Sequence, residues 1–331
     1  MNMQADMDAL PRNDIIIRNW LYFNAFMVFC MAIIGAITRL TESGLSIVEW
    51  QPISGTLPPL NPTEWNRVFD LYRQTPEYRD INTGMSLDEF KTIFFWEWFH
   101  RLWGRLIGLV YALPLAIFWI KGMIPLNYKK PLLGLLILGG LQGVMGYVMV
   151  LSGLVDQPSV SHYRLAAHLS LAFILYGCLL WTAFSLSGIA PKPTTFCIRR
   201  HGWTALGVLT ITIIWGAFMA GMDAGLVSNT WPNMYDGQFI PDDLTMYIAD
   251  NAVTIHFFHR WIAVLALVLI TTFAWRVKSF ALGGMVFLQF ALGIATIMSS
   301  IAIPVATMHQ GGAFLLTALL ILDIYRVRYL G

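Results

Sequence analysis

Apolar stretches of about 20 residues recur along the whole 331-residue chain, separated by shorter polar connections. A run of that length crosses roughly 30 Å of hydrocarbon as a helix. Eight are predicted, at approximately 19–39, 93–120, 131–151, 161–187, 202–222, 252–276, 279–299 and 303–327. The runs are continuous and do not alternate apolar with polar residues, which favours helices over barrel strands. The first, from Trp20 to Ile37, follows Arg12 and Arg18 as a secretory signal would. It is longer than a signal core and no small-residue cleavage pattern follows it, so a retained helix is expected.

The eight runs divide into two related sets of four. Gly35-Ala36 recurs as Gly216-Ala217, 181 residues later. Glu97-Trp98-Phe99-His100-Arg101 recurs as His256-Phe257-Phe258-His259-Arg260, and Leu141-Gln142-Gly143-Val144-Met145-Gly146 as Leu288-Gln289-Phe290-Ala291-Leu292-Gly293. His168 near the start of the fourth run matches His309 near the start of the eighth. An even number of spans per half returns the second half to the same side, giving a parallel repeat. The expected fold is an all-α integral membrane protein of two tandem four-helix bundles, residues 1–190 and 191–331. Gly139, Gly143 and Gly146 share a face of the third helix and are read as places of close helix packing.

Composition agrees: 57% of residues are hydrophobic and 12% charged, against about 25% charged in soluble domains. Lys121, Lys129, Lys130, Lys192, Arg199, Arg200, Arg276, Lys278, Arg326 and Arg328 fall in alternate connections and the tail, with Arg12 and Arg18 at the start. By the positive-inside rule these segments and both termini face the cytoplasm, or the matrix in a mitochondrion. The long connections 40–92 and 223–251, rich in acidic residues, then lie outside, and Trp50, Trp65 and Trp231 suggest that they are ordered caps. Cys30 and Cys178 lie in helices and Cys197 in a basic loop, which makes neither a disulfide framework nor a thiolate metal site. A lipid bilayer is the expected surrounding, and no nucleic-acid partner is expected.

Ionisable groups inside a bilayer are costly and normally face a bundle interior. His100, His168, His259 and His309 all sit just inside helices that enter from the outer face, in one shallow layer. Neutral imidazoles on two facing helices can clamp a haem iron from both sides, and the same pair in each half favours that role over four separate core histidines. Arg101, Arg105, Arg164 and Arg260, with Arg39 at the outer end of the first helix, are candidate partners for haem propionates; snorkelling to the interface is the alternative, best suited to Arg164. His162 and His201 are expected to be solvated. His256 shares a helix face with His259, and the repeated His-Arg pair favours His259 as the ligand. The halves differ at one informative position, where Glu97 stands against His256. A carboxylate one turn from His100 is a candidate acid, base or electrostatic stabiliser, or else an ion-pair partner of Arg101 or Arg105.

These residues closely resemble the haem A synthase family over essentially the whole chain. The resemblance rests on GAITRLTESGLSIVEW at 35–50, Gln51-Pro52, FFWEWFHRLWGRLIG at 94–108, LGGLQGVMGYVMVLSGL at 138–154, YRLAAHLSLA at 163–172, NTWPNM at 229–234 and FFHR at 257–260. It looks like the form found in proteobacteria and mitochondria, which implies a bacterial inner membrane or a mitochondrial inner membrane. The resemblance implies a membrane oxidoreductase that converts a methyl group of haem O to a formyl group, giving haem A for cytochrome oxidase. It implies that His100 and His168 hold the substrate or product haem, that His259 and His309 hold a haem b cofactor, and that Glu97 is the catalytic carboxylate. It also implies an electron acceptor, and makes the enzyme that forms haem O a candidate partner and a homo-oligomer a candidate state. Some family members carry a cysteine pair in the first outer connection; residues 40–92 contain none. A di-haem electron-transfer protein is the competing expectation, and a haem transporter a weaker one, because four histidines at one depth would not carry haem across.

Overall fold

A computed structural model describes residues 10–50, 54–155 and 158–328. Gln51 and Pro52 of the quoted motif, and the first nine residues, lie outside the described residues. Among those described there is no strand, and ten α-helices occur: α1 (Arg12–Leu40), α2 (Pro62–Tyr72), α3 (Pro76–Asp80), α4 (Leu87–Ile120), α5 (Leu126–Val155), α6 (His162–Ser185), α7 (Phe196–Gly221), α8 (Ala252–Val277), α9 (Phe280–Met298) and α10 (Ile303–Arg326). All except α2 and α3 are long and apolar enough to cross a membrane, making eight spans.

Local chemistry sets the helix starts. Ser86 and Glu89 form a reciprocal capping box at α4. Asn251 accepts from the Thr254 N–H to open α8, and Thr195 accepts from Ile198 at α7. These caps begin α4 and α7 about six residues before the apolar runs do. Cys197 therefore lies in the first turn of α7 and not in a loop.

In the first half-chain α1 packs on α4 and α6, and α5 packs on α6 and α4, closing a ring. In the second, α7 packs on α8 and α10, and α9 on α8 and α10. The rings meet where α6 touches α7 and α10, and where α1 touches α10. Their shared core includes Ile17, Leu21, Tyr111, Leu179 and Phe314, with Phe173 stacked on Phe314 at 3.9 Å between ring centroids. Indole N–H groups staple α1 to α4: Trp20 donates to the Val110 carbonyl at 2.8 Å and Trp103 to that of Met27 at 3.0 Å. The outward faces stay apolar and exposed, as at Leu109, Leu113, Ile117, Ile137 and Val144, a surface suited to lipid and not to water.

The long connections after α1 and α7 are folded. At 34 residues, α4 is about 51 Å long at 1.5 Å per residue, so its first turns stand clear of the hydrocarbon. There Phe90 and Phe94 join Phe69 and Tyr72 of α2 in a small separate core, and Trp65 packs edge-on against Phe94. Trp50 lies against Tyr147, and Trp231 against Trp261 and Phe290.

Candidate functional site

Four histidines have the same kind of seat. His100 on α4 lies against Gly35 of α1, where an added Cβ would stand 3.0 Å from the ring Cε1 and 3.4 Å from Nδ1. His168 on α6 lies against Gly146 of α5, His259 on α8 against Gly216 of α7, and His309 on α10 against Gly293 of α9; the same added Cβ would stand 3.0, 3.1 and 3.0 Å from Cε1 respectively. An added Cβ at these distances is tighter than ordinary contact, so glycine lets the ring sit close to the helix backbone. His100 and His168 lie within electrostatic range of each other, as do His259 and His309. Each ring keeps some accessible surface.

Two glutamines hold two of the rings. The Gln289 amide donates to the His309 carbonyl at 2.9 Å and sits 3.2 Å from its Nδ1; Gln142 does the same for His168 at 3.1 and 3.3 Å. Each glutamine stands one turn before the seating glycine on the same helix, a spacing that places both on one face. Such neighbours fix the orientation of a ligating imidazole. An imidazole pair backed by glycine suits a haem iron: the cradle is tight against any added Cβ, and the buried Nδ1 of His100 has no hydrogen-bond partner among the described residues.

Of Gly139, Gly143 and Gly146, which share a face expected to pack closely, only Gly146 meets a neighbour; Cβ atoms added at Gly139, Gly140 or Gly143 touch nothing. The signal for the histidine seats was present in the sequence, since Gly35, Gly146, Gly216 and Gly293 recur at matching places in the two halves.

Glu97 is 3% exposed. Its carboxylate accepts from the Arg101 guanidinium at 2.6 Å, the Ser46 hydroxyl at 2.7 Å and the Ile47 N–H at 2.7 Å. The segment after α1 is thereby folded over the outer end of α4. Arg101 also donates to the Ile47 carbonyl at 3.0 Å and lies over the Trp50 ring. The ion pair raised as one alternative for Glu97 is therefore formed, with Arg101. Arg105 stands one turn deeper on α4, half-buried.

In the second ring Arg260 is 3% exposed and donates to the carbonyls of Ser228, Asn233 and Pro232 at 3.3, 3.2 and 3.4 Å. It also lies over Trp231, so it ties the 229–234 motif to α8. Its Nε has no partner. His256 is wholly buried beside it. Arg164 reaches the Val148 carbonyl at 2.8 Å.

Arg39 pairs with Asp223 at 2.5 Å and with the Ala220 carbonyl, joining the two rings where α1 and α7 end. Two expectations are corrected. His162 is not solvated, because its ring packs on Phe218 and lies 3.4 Å from Asp250. His201 is inside α7, with Nε2 3.0 Å from the Leu269 carbonyl and its ring edge-on to Phe273. In each case the partner comes from a distant part of the chain.

Residues 18–321 match the sequence pattern of a family described as cytochrome oxidase assembly protein. The chain belongs to this family. It is 47% identical over 328 residues to a protein of Rhodospirillum centenum named heme A synthase, covering 93% of this chain and 87% of that one. Proteins of the same name from Granulibacter bethesdensis and Parvibaculum lavamentivorans are 44% and 40% identical, over 97% and 99% of this chain and 89% and 99% of theirs. The family match spans all eight membrane helices, so both rings belong to its common body.

Proposed function

We propose that this chain is a haem A synthase of a bacterial inner membrane, a membrane oxidoreductase that oxidises the methyl group of haem O to a formyl group. The observation that carries the reading is the asymmetry of two otherwise matching sites: four histidines on glycine seats, and a buried Glu97 beside only the first pair. Residues 1–190 would hold the substrate haem through His100 and His168. Residues 191–331 would hold a haem b through His259 and His309, and that group would supply one-electron transfer.

The chain's own residues perform the remaining tasks. Glycine seats and the amides of Gln142 and Gln289 keep the imidazoles oriented, so little reorganisation is needed when iron is bound. Glu97, fixed by three donors in a water-poor place, offers negative charge and a proton-accepting oxygen next to the first pair. Arg101 is committed to Glu97 and to the covering segment, so it positions the carboxylate; the Nε of Arg260 is a candidate for a propionate, and Arg105, one turn deeper than Arg101, is another. Trp50 and the folded cap exclude water from the same end. Two rings with matching sites support a duplicated plan in which one copy was kept for chemistry and the other for electron transfer. The alternating basic connections support cytoplasmic termini and, with them, a position of all four histidines near the outer face.

The test is expression in cells that make haem O but lack haem A, followed by extraction and identification of the haems. Haem A is expected. Folded, haem-loaded protein without haem A would refute the enzyme and favour a di-haem electron carrier.

A further inference from the structure

The two rings match at their histidine seats but not at one of their seams. In the first ring α4 meets α5 far less than α8 meets α9 in the second. One end of the α4–α5 seam is pinned, where the Tyr111 hydroxyl donates to the Leu132 carbonyl at 2.8 Å. Between that pin and the His100–His168 pair both helices are bare: a Cβ added at Gly108 of α4 or at Gly139 of α5 meets nothing within 4 Å among the described residues.

The second ring supplies the comparison. Aligning His100-Arg101 with His259-Arg260 sets Leu267 against Gly108, and aligning Leu141-Gln142 with Leu288-Gln289 sets Val286 against Gly139. Val286 is 3% exposed and shares a core with Ala266, Leu282 and Leu316, on which Leu267 also packs. Two aliphatic side chains thus fill the second ring where the first has two glycines and space. Glycine inside a helix is destabilising, and an unfilled position forgoes the burial of an aliphatic side chain. The first ring is therefore less stable at the place where the second is well packed, which packing alone does not account for.

We propose that the α4–α5 gap is the slot for the isoprenoid tail of haem O, and that Gly108 and Gly139 make the first ring specific for a tailed haem. This rests on the assignment of haem O to the first ring and haem b to the second. Haem O carries a long farnesyl-derived chain where haem b has a vinyl group, so the two ligands differ by an apolar tail and the two rings differ by an apolar gap. Gly108 lies eight residues beyond His100, and Gly139 seven before the Gly146 that seats His168. Both offsets are about two helical turns, or about 11 Å along the axis, which a farnesyl-length chain spans. Leu109 beside Gly108, and Ile137 and Leu141 flanking Gly139, are exposed. The gap therefore borders lipid, and a substrate dissolved in the bilayer reaches it sideways. A lone Cβ meets nothing there, so it takes a longer side chain to obstruct the tail.

The test gives the first ring the second ring's residues. Gly108→Leu and Gly139→Val are made in the full-length protein carrying haem b in its second ring, and each is titrated in detergent with haem O and, separately, with haem b as the tailless ligand. Absorbance and electron paramagnetic resonance report filling of the first ring. The unaltered first ring should bind haem O at least about tenfold more tightly than haem b, the equivalent of about two buried methylene groups. Each variant should lose most of that preference, with affinity for the tailless ligand and the haem b content of the second ring unchanged. Equal weakening of both ligands overturns the slot, since that is damage to the histidine site. Unchanged haem O affinity in both variants also overturns it, as when a lipid chain or a second copy of this chain fills the gap. Should neither variant fold, the unaltered protein still decides, because equal affinities for the two haems overturn the slot. If its first ring binds no haem O at all, the proposed function fails as well; if it binds both haems equally, only the slot does.

Discussion

Replacing a histidine-seating glycine by alanine probes the site with a single methyl group. At Gly146 the new carbon would lie 3.0 Å from Cε1 of His168, whereas carbon pairs rest at about 3.5–4.0 Å. Relief requires the ring or the helix to give by a few tenths of an ångström. Overpacking of this size costs about 1–3 kcal/mol, and turning the ring off its rotamer instead costs about 0.5–1.5 kcal/mol. The seat orients the ligand, so the strain should appear mainly as weaker haem binding, by about 5- to 100-fold at 1.4 kcal/mol per decade. The same helix supplies the controls, because Cβ atoms at Gly139 and Gly143 meet nothing; alanine there should be neutral or gain up to about 1 kcal/mol of helix propensity. The assay is haem content per polypeptide after purification, with the low-spin electron paramagnetic resonance signature as a measure of ligand geometry. Gly146→Ala should lower haem O or haem A content, and Gly293→Ala should lower haem b. Full occupancy with an unchanged signature in both variants, or equal losses from Gly143→Ala, would refute the reasoning.

Three further outcomes follow from the geometry. Glu97→Ala leaves Arg101 beside a missing charge, at a cost of about 3–5 kcal/mol for a broken buried pair; extracted haems should still include haem b but no haem A. Arg260→Lys keeps the charge but loses the fork that spans the Ser228, Pro232 and Asn233 carbonyls; loss of haem b together with faster proteolysis at 228–234 is expected, and retention of both would count against it. Glu77 has a folded-state value of about 8 against an ordinary 4.5, so between these the native cap binds more protons than the opened one. Its contribution is complete below about 4.5 and is lost as pH rises through 8; amide-exchange protection of 62–82, compared between the unaltered chain and Glu77→Gln, should diverge with that sign.

The sequence by itself determined the membrane architecture and the chemical cast. Hydrocarbon thickness dictates the length of an apolar run, so eight spans are countable without any contact being known, and α8 and α10 begin where the apolar pattern does. Histidines and a carboxylate stand out in such runs because burial of ionisable groups is expensive. Helix starts set by caps were less legible, as at Ser86 and Thr195, because one hydrogen bond extends a helix past its apolar stretch. What only the tertiary structure decided is which residue meets which. Gly35 and His100 are 65 positions apart, and nothing local marks that glycine as a seat while Gly143 faces open space. The pairing of Arg39 is not legible because Asp223 lies in the other half, nor is the burial of His162 and His201, because their partners, Asp250 and Leu269, come from later in the chain. Glu77 looked like one acid among many in a polar connection. Its burial beside Tyr72, without a cation among the described residues, arises from the folding of α3 against α2 and the first turns of α4. Spacing along a chain reports on one helix at a time, whereas partners are chosen between helices.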